Sequence, residues 1–308
     1  MEGRIIKRIN DHIPDQTDNC EWKDSFFGKR IRENLETALL EEVFTTPKPG
    51  LVDCHDNGAH TDMDCGTFIR STYAISPCLT QMVYAGFQWE DSIEDLFPYI
   101  RKIGMQAEKA MFQATENVNT HKGIIFTMGI LGAAAGYAYR RTGIAKAETV
   151  LEFSGDMVRK TMDRELADMD RRPARTHGEY LYRTYGEKGI RGEARDGFPI
   201  IRETSLPWMK HYISEGLDWN NVKINVLLRT IVKLNDTNVL SRGGYAQLEW
   251  IRNRASEILK IGGAASENGY KELMEMNREC IRRNISPGGA ADILAATLFL
   301  YYMDGGGE

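Results

Sequence analysis

Apolar residues recur at helical spacing along most of the chain. Within residues 31–44, for example, Ile31 and Leu35 fall on one face of a helix. The same spacing predicts further helices near residues 66–86, 92–116, 119–141, 145–162, 177–187, 219–235, 245–260, 267–284 and 288–303. Proline should break the first two of these, at Pro77 and Pro98. Alternating β-branched runs, which strands need, are almost absent, so the pattern predicts an all-α fold.

The segment NTHKGIIFTMGILGAAAGYAYRR, residues 119–141, is apolar nearly all round and rich in alanine and glycine. This composition predicts a buried central helix whose small residues let neighbouring helices approach closely. Its last residues, Arg140 and Arg141, suit the negative end of a helix dipole. No linker or low-complexity run interrupts the chain. We therefore expect one multi-helix globular catalytic domain over residues 29–308, after a polar N-terminal extension of residues 1–28.

Charge and cysteine content restrict the class of protein. The formal net charge of the 308 residues is -5, which argues against a nucleic-acid partner, since phosphate contacts need a basic excess. The five cysteines are odd in number and lack CxxC spacing, so we expect a reduced protein of the cytoplasm. No apolar run is long enough to span a membrane, and we expect no membrane association.

The stretch TTPKPGLVDCHDNGAHTDMD, residues 45–64, which we call the proline–glycine loop, cannot form a regular helix because of its two prolines. Long loops in compact domains are often functional. The carboxylates of Asp62 and Asp64 could bind Mg²⁺, which prefers oxygen ligands, and His60 could act as an acid or base. In the alternative interpretation, Asp64 caps the following helix and His60 is an ordinary polar residue.

Three further segments place polar residues at predicted helix ends. In NVNTHKG, Asn119 or Thr120 can cap a helix whose first amides, with Lys122, would bind phosphate; an ordinary cap followed by lysine is the alternative. In EKGIRGEARDGFP, Arg191 could clamp an anion, or the segment is a solvated turn. In NDTNVLSRGG the polar residues are Asp236, Asn238 and Arg242, and the two glycines fit a helix C-cap.

The segment NISPGGAADILAATLFL predicts a helix with Ser286 as its cap and Pro287 at its first position. Gly288 and Gly289 would let a ligand approach the backbone amides. Asp292 lies one turn into an otherwise apolar helix, where burial of its carboxylate requires a partner or a metal. A core helix with a polar start is the alternative. Taken together, the segments predict a polyanion site built from helix ends and a divalent metal, without a Walker A, GxGxxG or GxSxG motif.

Five of these motifs occur in the order typical of one family. PKPGLVDxxxxGAHxDMDxxTFIRS, NTHKGxIFxxG, RGEAxxGFP, DTNVLxRGG and SPGGxADxLAxTxFL resemble those of triphosphoribosyl-dephospho-CoA synthases. The resemblance extends from about Arg32 to Tyr302. It implies that ATP and 3′-dephospho-CoA are the substrates, and that adenine and 2′-(5″-triphosphoribosyl)-3′-dephospho-CoA are the products. The latter is the prosthetic-group precursor for the acyl carrier subunit of citrate lyase or malonate decarboxylase, so the product would pass to a carrier-protein transferase.

This chemistry suggests roles for the residues. The α-linked product from a β-linked nucleotide implies inversion, with an acid for the adenine and a base for the 2′-hydroxyl. We expect Asp62 and Asp64, with Asp292, to bind Mg²⁺, and His60 or Glu193 to transfer protons. The residues expected to bind substrate and its phosphates are Lys48, Asp53, Asn119, His121, Lys122, Arg191, Asp236, Asn238, Arg242, Ser286, Gly288 and Gly289.

Two other functions fit the same residues. An Mg²⁺-dependent glycohydrolase of the ADP-ribosyl type would break the same ribosyl bond but pass the sugar to water. A nucleotide sensor without catalytic activity would bind ATP and release no adenine. The sequence leaves open whether the chain forms a homodimer, and which carrier-protein pathway it serves.

Overall fold

In the computed structural model, which describes residues 25–169, 173–174 and 177–306, the chain forms twelve α-helices and no strand. The helices are α1 Phe26–Phe44, α2 Cys65–Gln88, α3 Leu96–Ala114, α4 Lys122–Thr142, α5 Ala147–Met169, α6 His177–Tyr185, α7 Gly189–Arg195, α8 Leu206–Ser214, α9 Trp219–Lys233, α10 Thr237–Lys260, α11 Glu267–Arg283 and α12 Gly288–Met303. One continuous hydrophobic core extends from Phe27 to Leu300. The predicted all-α, single-domain fold is confirmed.

Helix α4 is the buried central helix. It packs against α2, α3, α5 and α12, and most of its residues are buried. At Gly136, a Cβ atom would lie 2.0 Å from the backbone oxygen of Val83 in α2, so only glycine permits this approach of the two backbones. The predicted role of the small residues is thereby confirmed.

Substituting Gly136 by alanine should destabilise the protein by about 1–3 kcal/mol, because backbone atoms on both sides must move apart. Gly104 in α3 is the matched control. A Cβ at Gly104 would meet its nearest atom, Met82 Cε, at 3.6 Å, so Gly104→Ala should be neutral or slightly stabilising. Thermal unfolding of both variants tests this, and equal melting temperatures would contradict it.

Several predicted boundaries differ from those observed. Helix α2 continues through Pro77, because packing against α1, α3 and α4 outweighs one lost backbone hydrogen bond. Pro98 lies in the first turn of α3, where backbone N–H groups make no intrahelical hydrogen bond, so the proline costs the helix none. Gly243 and Gly244, which fit a helix C-cap in the sequence, lie at a kink within α10, where the non-helical angles of Gly244, φ 66° and ψ -167°, end a first helical stretch before the helix resumes. Residues 201–214, which carry no clear pattern, form a π-helical turn, Ile201–Ser205, and α8.

The described residues begin just ahead of the predicted boundary at residue 29. Ser25 caps α1 by accepting a hydrogen bond from the Gly28 amide, 3.1 Å away. The buried ring of Phe27 stacks on Tyr139 of α4, with ring centres 3.7 Å apart. The rest of the predicted extension, residues 1–24, lies outside the described residues. Among the described helices, none combines the length and the apolar character needed to cross a bilayer.

Candidate active site

A cavity of about 680 Å³ lies where the proline–glycine loop meets the N-terminal ends of α4, α10 and α12. The predicted site of inter-helix loops and helix N-termini is thus present as a geometry. The predicted site residues in its wall are Lys48, His60, Asp62, Asn119, His121, Lys122, Asp236, Asn238, Arg242, Ser286, Gly288, Gly289 and Asp292. Asp53, Asp64, Arg191 and Glu193 lie outside this wall. These are placements, and the residues' roles stay predictions.

The proline–glycine loop is ordered by two of its own aspartates. Asp53 is buried and accepts hydrogen bonds from the amides of Lys48 at 2.7 Å and His55 at 2.6 Å. Asp56 accepts one from the side-chain amide of Asn277 in α11, at 2.8 Å. Asp53, predicted to bind substrate, therefore fixes the shape of the loop from inside. Its acceptor atoms are occupied by backbone donors.

The three predicted metal ligands are not brought together. Asp64 caps α2, because its carboxylate accepts hydrogen bonds at 2.7 Å from both the amide and the hydroxyl of Thr67. These bonds lower the pKa of Asp64. Asp62 lies at the cavity mouth with its side chain 60% exposed, whereas Asp292 lies deep in the wall. Across the described part of the chain, no group of three or more Asp, Glu, His or Cys side chains is arranged to hold a metal ion.

His60 is held between Ser286 and Asp62. Its Nε2 lies 2.9 Å from the Ser286 hydroxyl and its Nδ1 lies 3.8 Å from the Asp62 carboxylate. Burial and the nearby Arg242 lower the pKa of His60, and Asp62 opposes them. The prediction that Ser286 caps α12 is wrong. Pro287 occupies the cap position, and the Ser286 side chain turns to His60 instead.

Arg242 stands at the rim of the cavity. Its guanidinium donates hydrogen bonds to the backbone oxygen of Ala59, at 3.3 Å, and to the side-chain oxygen of Asn284, at 2.8 Å. A guanidinium carries five N–H donors, so these two contacts leave donors for an anion. Because Ala59 belongs to the proline–glycine loop, Arg242 also ties α10 to that loop.

Asp236 joins the N-terminal ends of two helices. It caps α10 by accepting hydrogen bonds from the amides of Asn238, at 2.8 Å, and Val239, at 3.4 Å. The same carboxylate accepts one at 2.9 Å from the amide of Ala290 in α12. Burial raises the pKa of Asp236, and these bonds oppose the shift. The Asp236 carboxylate thus occupies the N-terminal ends of α10 and α12, where we expected an anion of the ligand to bind.

The N-terminal end of α4 remains for an anion. The cap position is His121, one or two residues after the predicted Asn119 or Thr120, although Asn119 does accept a hydrogen bond from the Lys122 amide at 3.3 Å. The first intrahelical hydrogen bond of α4 runs from the Ile125 amide to the His121 carbonyl. The amides of Gly123 and Ile124 come before it in the first turn, where amides have no intrahelical partner, and both residues lie in the cavity wall. The Lys122 ammonium pairs at 3.1 Å with Glu108, but both side chains are exposed enough to exchange that partner for a phosphate.

His121 is a neutral residue of the wall. It is buried, and its Nδ1 lies 2.7 Å from the hydroxyl of Ser71 in α2. Burial, together with the charge of Lys48, lowers the pKa of His121 to about 3. At neutral pH its imidazole can therefore contribute hydrogen bonds but no positive charge to the binding of phosphates.

The depressed pKa of His121 makes stability pH-dependent. The unfolded chain binds a proton near pH 6.5, whereas the folded chain resists it until about pH 3. The stabilisation is complete above pH 6.5 and is lost as the pH falls, at up to about 1.4 kcal/mol per pH unit. Urea unfolding between pH 6.5 and 5 should show this slope, and His121→Gln should reduce it. An equal slope in both proteins would contradict the assignment.

Glu42 of α1 is a wall residue that the sequence reading missed. Its carboxylate forms a buried ion pair with the Lys48 ammonium at 2.5 Å. A signal was available, since Glu42 follows Ala38 by four residues and Leu39 by three, on the apolar face of α1. A charge on such a face is buried and needs a partner.

Asp292 presents an unpaired carboxyl group to the cavity. In the described part of the chain no hydrogen bond or ion pair to this carboxyl is formed. Burial raises the pKa of Asp292 well above its ordinary value, and the nearby carboxylates of Asp236 and Glu42 add to the shift. The carboxyl lies against Gly123 of α4, where a Cβ atom would be 1.9 Å from Asp292 Oδ2. The structure thus places beside the free end of α4 a carboxyl group that its surroundings shift towards the protonated, neutral form.

Arg191 and Glu193 lie on α7, outside the cavity wall. Arg191 Nε is 3.6 Å from the Glu165 carboxylate, which occupies the expected anion clamp. Glu193 accepts a hydrogen bond from the Ile200 amide at 3.1 Å, and burial raises its pKa to about 7. Only the start of α7, Gly189 and Ile190, reaches the cavity.

The fold and the cavity define an all-helical protein with a deep polar cleft, in which acids, bases and a free helix N-terminus face a nucleotide-sized space. Sequence comparison makes the class specific. The family described as CitG, ATP:dephospho-CoA triphosphoribosyl transferase, matches residues 28–308. The chain belongs to this family.

The relatives match over nearly their full length. A probable 2-(5''-triphosphoribosyl)-3'-dephosphocoenzyme-A synthase of Vibrio cholerae is 36% identical over 300 residues, covering 94% of each chain. The synthase of Escherichia fergusonii is 36% identical over 280 residues, covering 91% of this chain and 92% of its own. A probable synthase of Malonomonas rubra is 32% identical, covering 98% and 94%. No solved structure shows a significant match.

Proposed function

We propose that this chain transfers the triphosphoribosyl group of ATP to the 2′-hydroxyl of 3′-dephospho-CoA and releases adenine. Membership of the family over residues 28–308 supports the reaction. One observation supports placing the reaction in this cavity. Four of the five family motifs are far apart in sequence, yet each contributes residues to the wall of the same cavity. The comparisons give no support to a glycohydrolase.

The reaction breaks the bond between ribose C1″ and adenine and forms a bond between C1″ and the acceptor oxygen. The acceptor's 2′-hydroxyl loses a proton and the departing adenine gains one. His60 is suited to act as the base that accepts the proton of the 2′-hydroxyl. It lies in the cavity wall, and its lowered pKa keeps the ring unprotonated at neutral pH. Glu193 is less suited to either transfer, since its carboxyl lies outside the cavity wall.

The triphosphate would bind at the N-terminal end of α4, where first-turn amides, Lys122 and the rim residue Arg242 offer donors. Mg²⁺ fits this site through the donor set present. Magnesium commonly uses one or two carboxylates together with substrate phosphates, and Asp292 and Asp62 provide unsaturated carboxyl oxygens in the wall. The ion would neutralise triphosphate charge. Asp64, as a helix cap, is not included in this set.

In the cell, the proposed product would serve a carrier-protein transferase in the cytoplasm. The product contains an intact triphosphate, so a hydroxyl of the carrier protein could attack its α-phosphorus, forming a phosphodiester and releasing diphosphate as the leaving group. This step is the class of reaction that the proposed product requires, for either a citrate lyase or a malonate decarboxylase carrier subunit. A homodimer remains a proposal that sedimentation of the purified chain would test.

Adenine release from ATP with Mg²⁺, measured with and without 3′-dephospho-CoA, tests the function. Release that depends on 3′-dephospho-CoA, with an adduct that retains three phosphates by mass spectrometry, is the expected result. Adenine and free triphosphoribose formed without the acceptor would overturn the proposal in favour of a hydrolase. Binding of ATP without any adenine would indicate a sensor.

A further inference from the structure

The main cavity is too small for both proposed substrates. Pockets of roughly 300–1,000 Å³ hold one drug-sized ligand, and this cavity measures about 680 Å³. The proposed reaction brings together two nucleotides, one of which carries a long pantetheine arm. Part of the acceptor must therefore lie beyond the cavity.

Two smaller pockets adjoin the cavity in series, and we call them together the side groove. The first, about 260 Å³, shares Gly189, Leu234 and Asn235 with the main cavity. The second, about 380 Å³, shares Ile200 and Lys233 with the first. A path along the end of α9 thus leads away from the proposed reaction centre.

We propose that the side groove binds the diphosphate and the pantetheine arm of 3′-dephospho-CoA, with the diphosphate beside Lys188 and Lys233 and the arm against Trp208. This assignment rests on the proposed function. It gives the acceptor a site separate from the triphosphate site at α4, so that the two polyanions do not compete for the same cations.

The first pocket offers two free cations. Neither Lys188 nor Lys233 has a carboxylate partner within the residues that the structure describes, and both residues line the pocket. Two acids of this pocket are engaged by neighbours: Glu187 accepts from the Tyr245 hydroxyl at 2.5 Å, and Asp196 pairs with Arg195. The cations are therefore available to a ligand diphosphate.

The third acid of this pocket, Glu193, is also occupied. Its carboxyl accepts the Ile200 amide, and burial raises its pKa to about 7, so that it opposes an anion less than an exposed carboxylate would. Glu187 keeps its negative charge, because its partners, the Tyr245 hydroxyl and the Asn235 amide, are neutral. The two lysines outweigh that single charge, so the balance of charge in the pocket is positive. This is the charge that a diphosphate needs.

The second pocket has a mixed lining with one aromatic residue, and Glu203, Thr204, Arg229 and Lys233 are its polar members. Pro199, Ile200 and Val232 line it together with Trp208, over whose ring the Arg229 guanidinium lies at 3.6 Å. A pantetheine arm has both methyl groups and amides, which suit a wall that is part apolar and part polar. Along the path the reaction centre comes first, the two lysines second and the pocket with Trp208 third. The acceptor has the same order of ribose, diphosphate and pantetheine.

Two variants and a truncated acceptor test the assignment. Lys233→Gln replaces an exposed side chain and should raise KM for 3′-dephospho-CoA about tenfold, the loss of one charge-assisted contact, without changing KM for ATP. Trp208→Leu should do the same. ADP, which has the reacting ribose and the diphosphate but no arm, should be a poor acceptor for the wild type and should be equally poor for Trp208→Leu.

Lys102→Gln, on the exposed surface of α3, is the matched control and should leave both KM values unchanged. Calorimetric binding of 3′-dephospho-CoA to each variant gives a readout that needs no turnover. Wild-type affinity in both groove variants, or ADP used as well as 3′-dephospho-CoA, would overturn the assignment. Failure of the proposed function is distinct, because the wild type itself would then release no adenine on addition of the acceptor.

Discussion

Replacing Asp292 with asparagine is expected to reduce adenine release by about 10²–10⁴-fold while leaving the protein folded and at least as stable. The carboxyl is unpaired in the cavity wall, where burial and then repulsion by Asp236 and Glu42 raise its pKa. A neutral amide of the same size removes the cost of burying an ionisable group beside two other carboxylates. Loss of activity with a gain of stability is the signature of a residue held at a cost for function.

The measurements are steady-state adenine release and urea unfolding of the two proteins. Titration with Mg²⁺ then separates two roles of Asp292. If Asp292 binds the metal, Asp292→Asn should need a higher Mg²⁺ concentration for activity. If Asp292 donates a proton, the rate should be lower at every Mg²⁺ concentration. Asp156→Asn, at an exposed position of α5 outside the cavity, is the control and should leave both measurements close to those of the wild type. Wild-type turnover in Asp292→Asn would exclude both roles.

The fold and the general place of the site could be predicted because their causes are local. Helical spacing defines the helices, and proline, glycine and capping residues mark the ends at which the cavity forms. Asp292 could be singled out by one conflict, a charge on an apolar helix. Glu42 presented the same conflict on α1. Applying the criterion to every helix would have found both.

The parts that could not be predicted depend on contacts between distant segments. Asp236 looks available for a ligand in its own segment, and only the packing of α12 beside α10 shows that it accepts the Ala290 amide. Ser286 looks like a helix cap until His60, from the proline–glycine loop, is placed beside it. The position of Asp64 in the sequence is equally compatible with a helix cap and with a metal ligand. The hydrogen bond that its carboxylate accepts from Thr67 shows that it is a helix cap.

Replacing Lys48 with methionine should reduce the free energy of unfolding by about 3–5 kcal/mol. The Lys48 ammonium is buried and donates hydrogen bonds to the backbone oxygen of Glu42 at 2.7 Å and to its carboxylate at 2.5 Å. Without it, the Glu42 carboxylate is left buried and unpaired beside Asp292. The expected loss of stability comes from burying an uncompensated charge, and it is larger than the net stabilisation that the intact ion pair provides.

The double variant Glu42→Gln with Lys48→Met should recover most of that loss, because it removes both charges. Lys271→Met, in the exposed pair with Glu267, is the control and should change stability little. Burial and then the charge of Lys48 lower the pKa of His121, so Lys48→Met should raise that pKa and stop the acid loss of stability at a higher pH than in the wild type. If the double variant is no more stable than Lys48→Met, the buried pair does not hold the loop to α1 by charge, and the packing of the lysine stem would have to account for the loss.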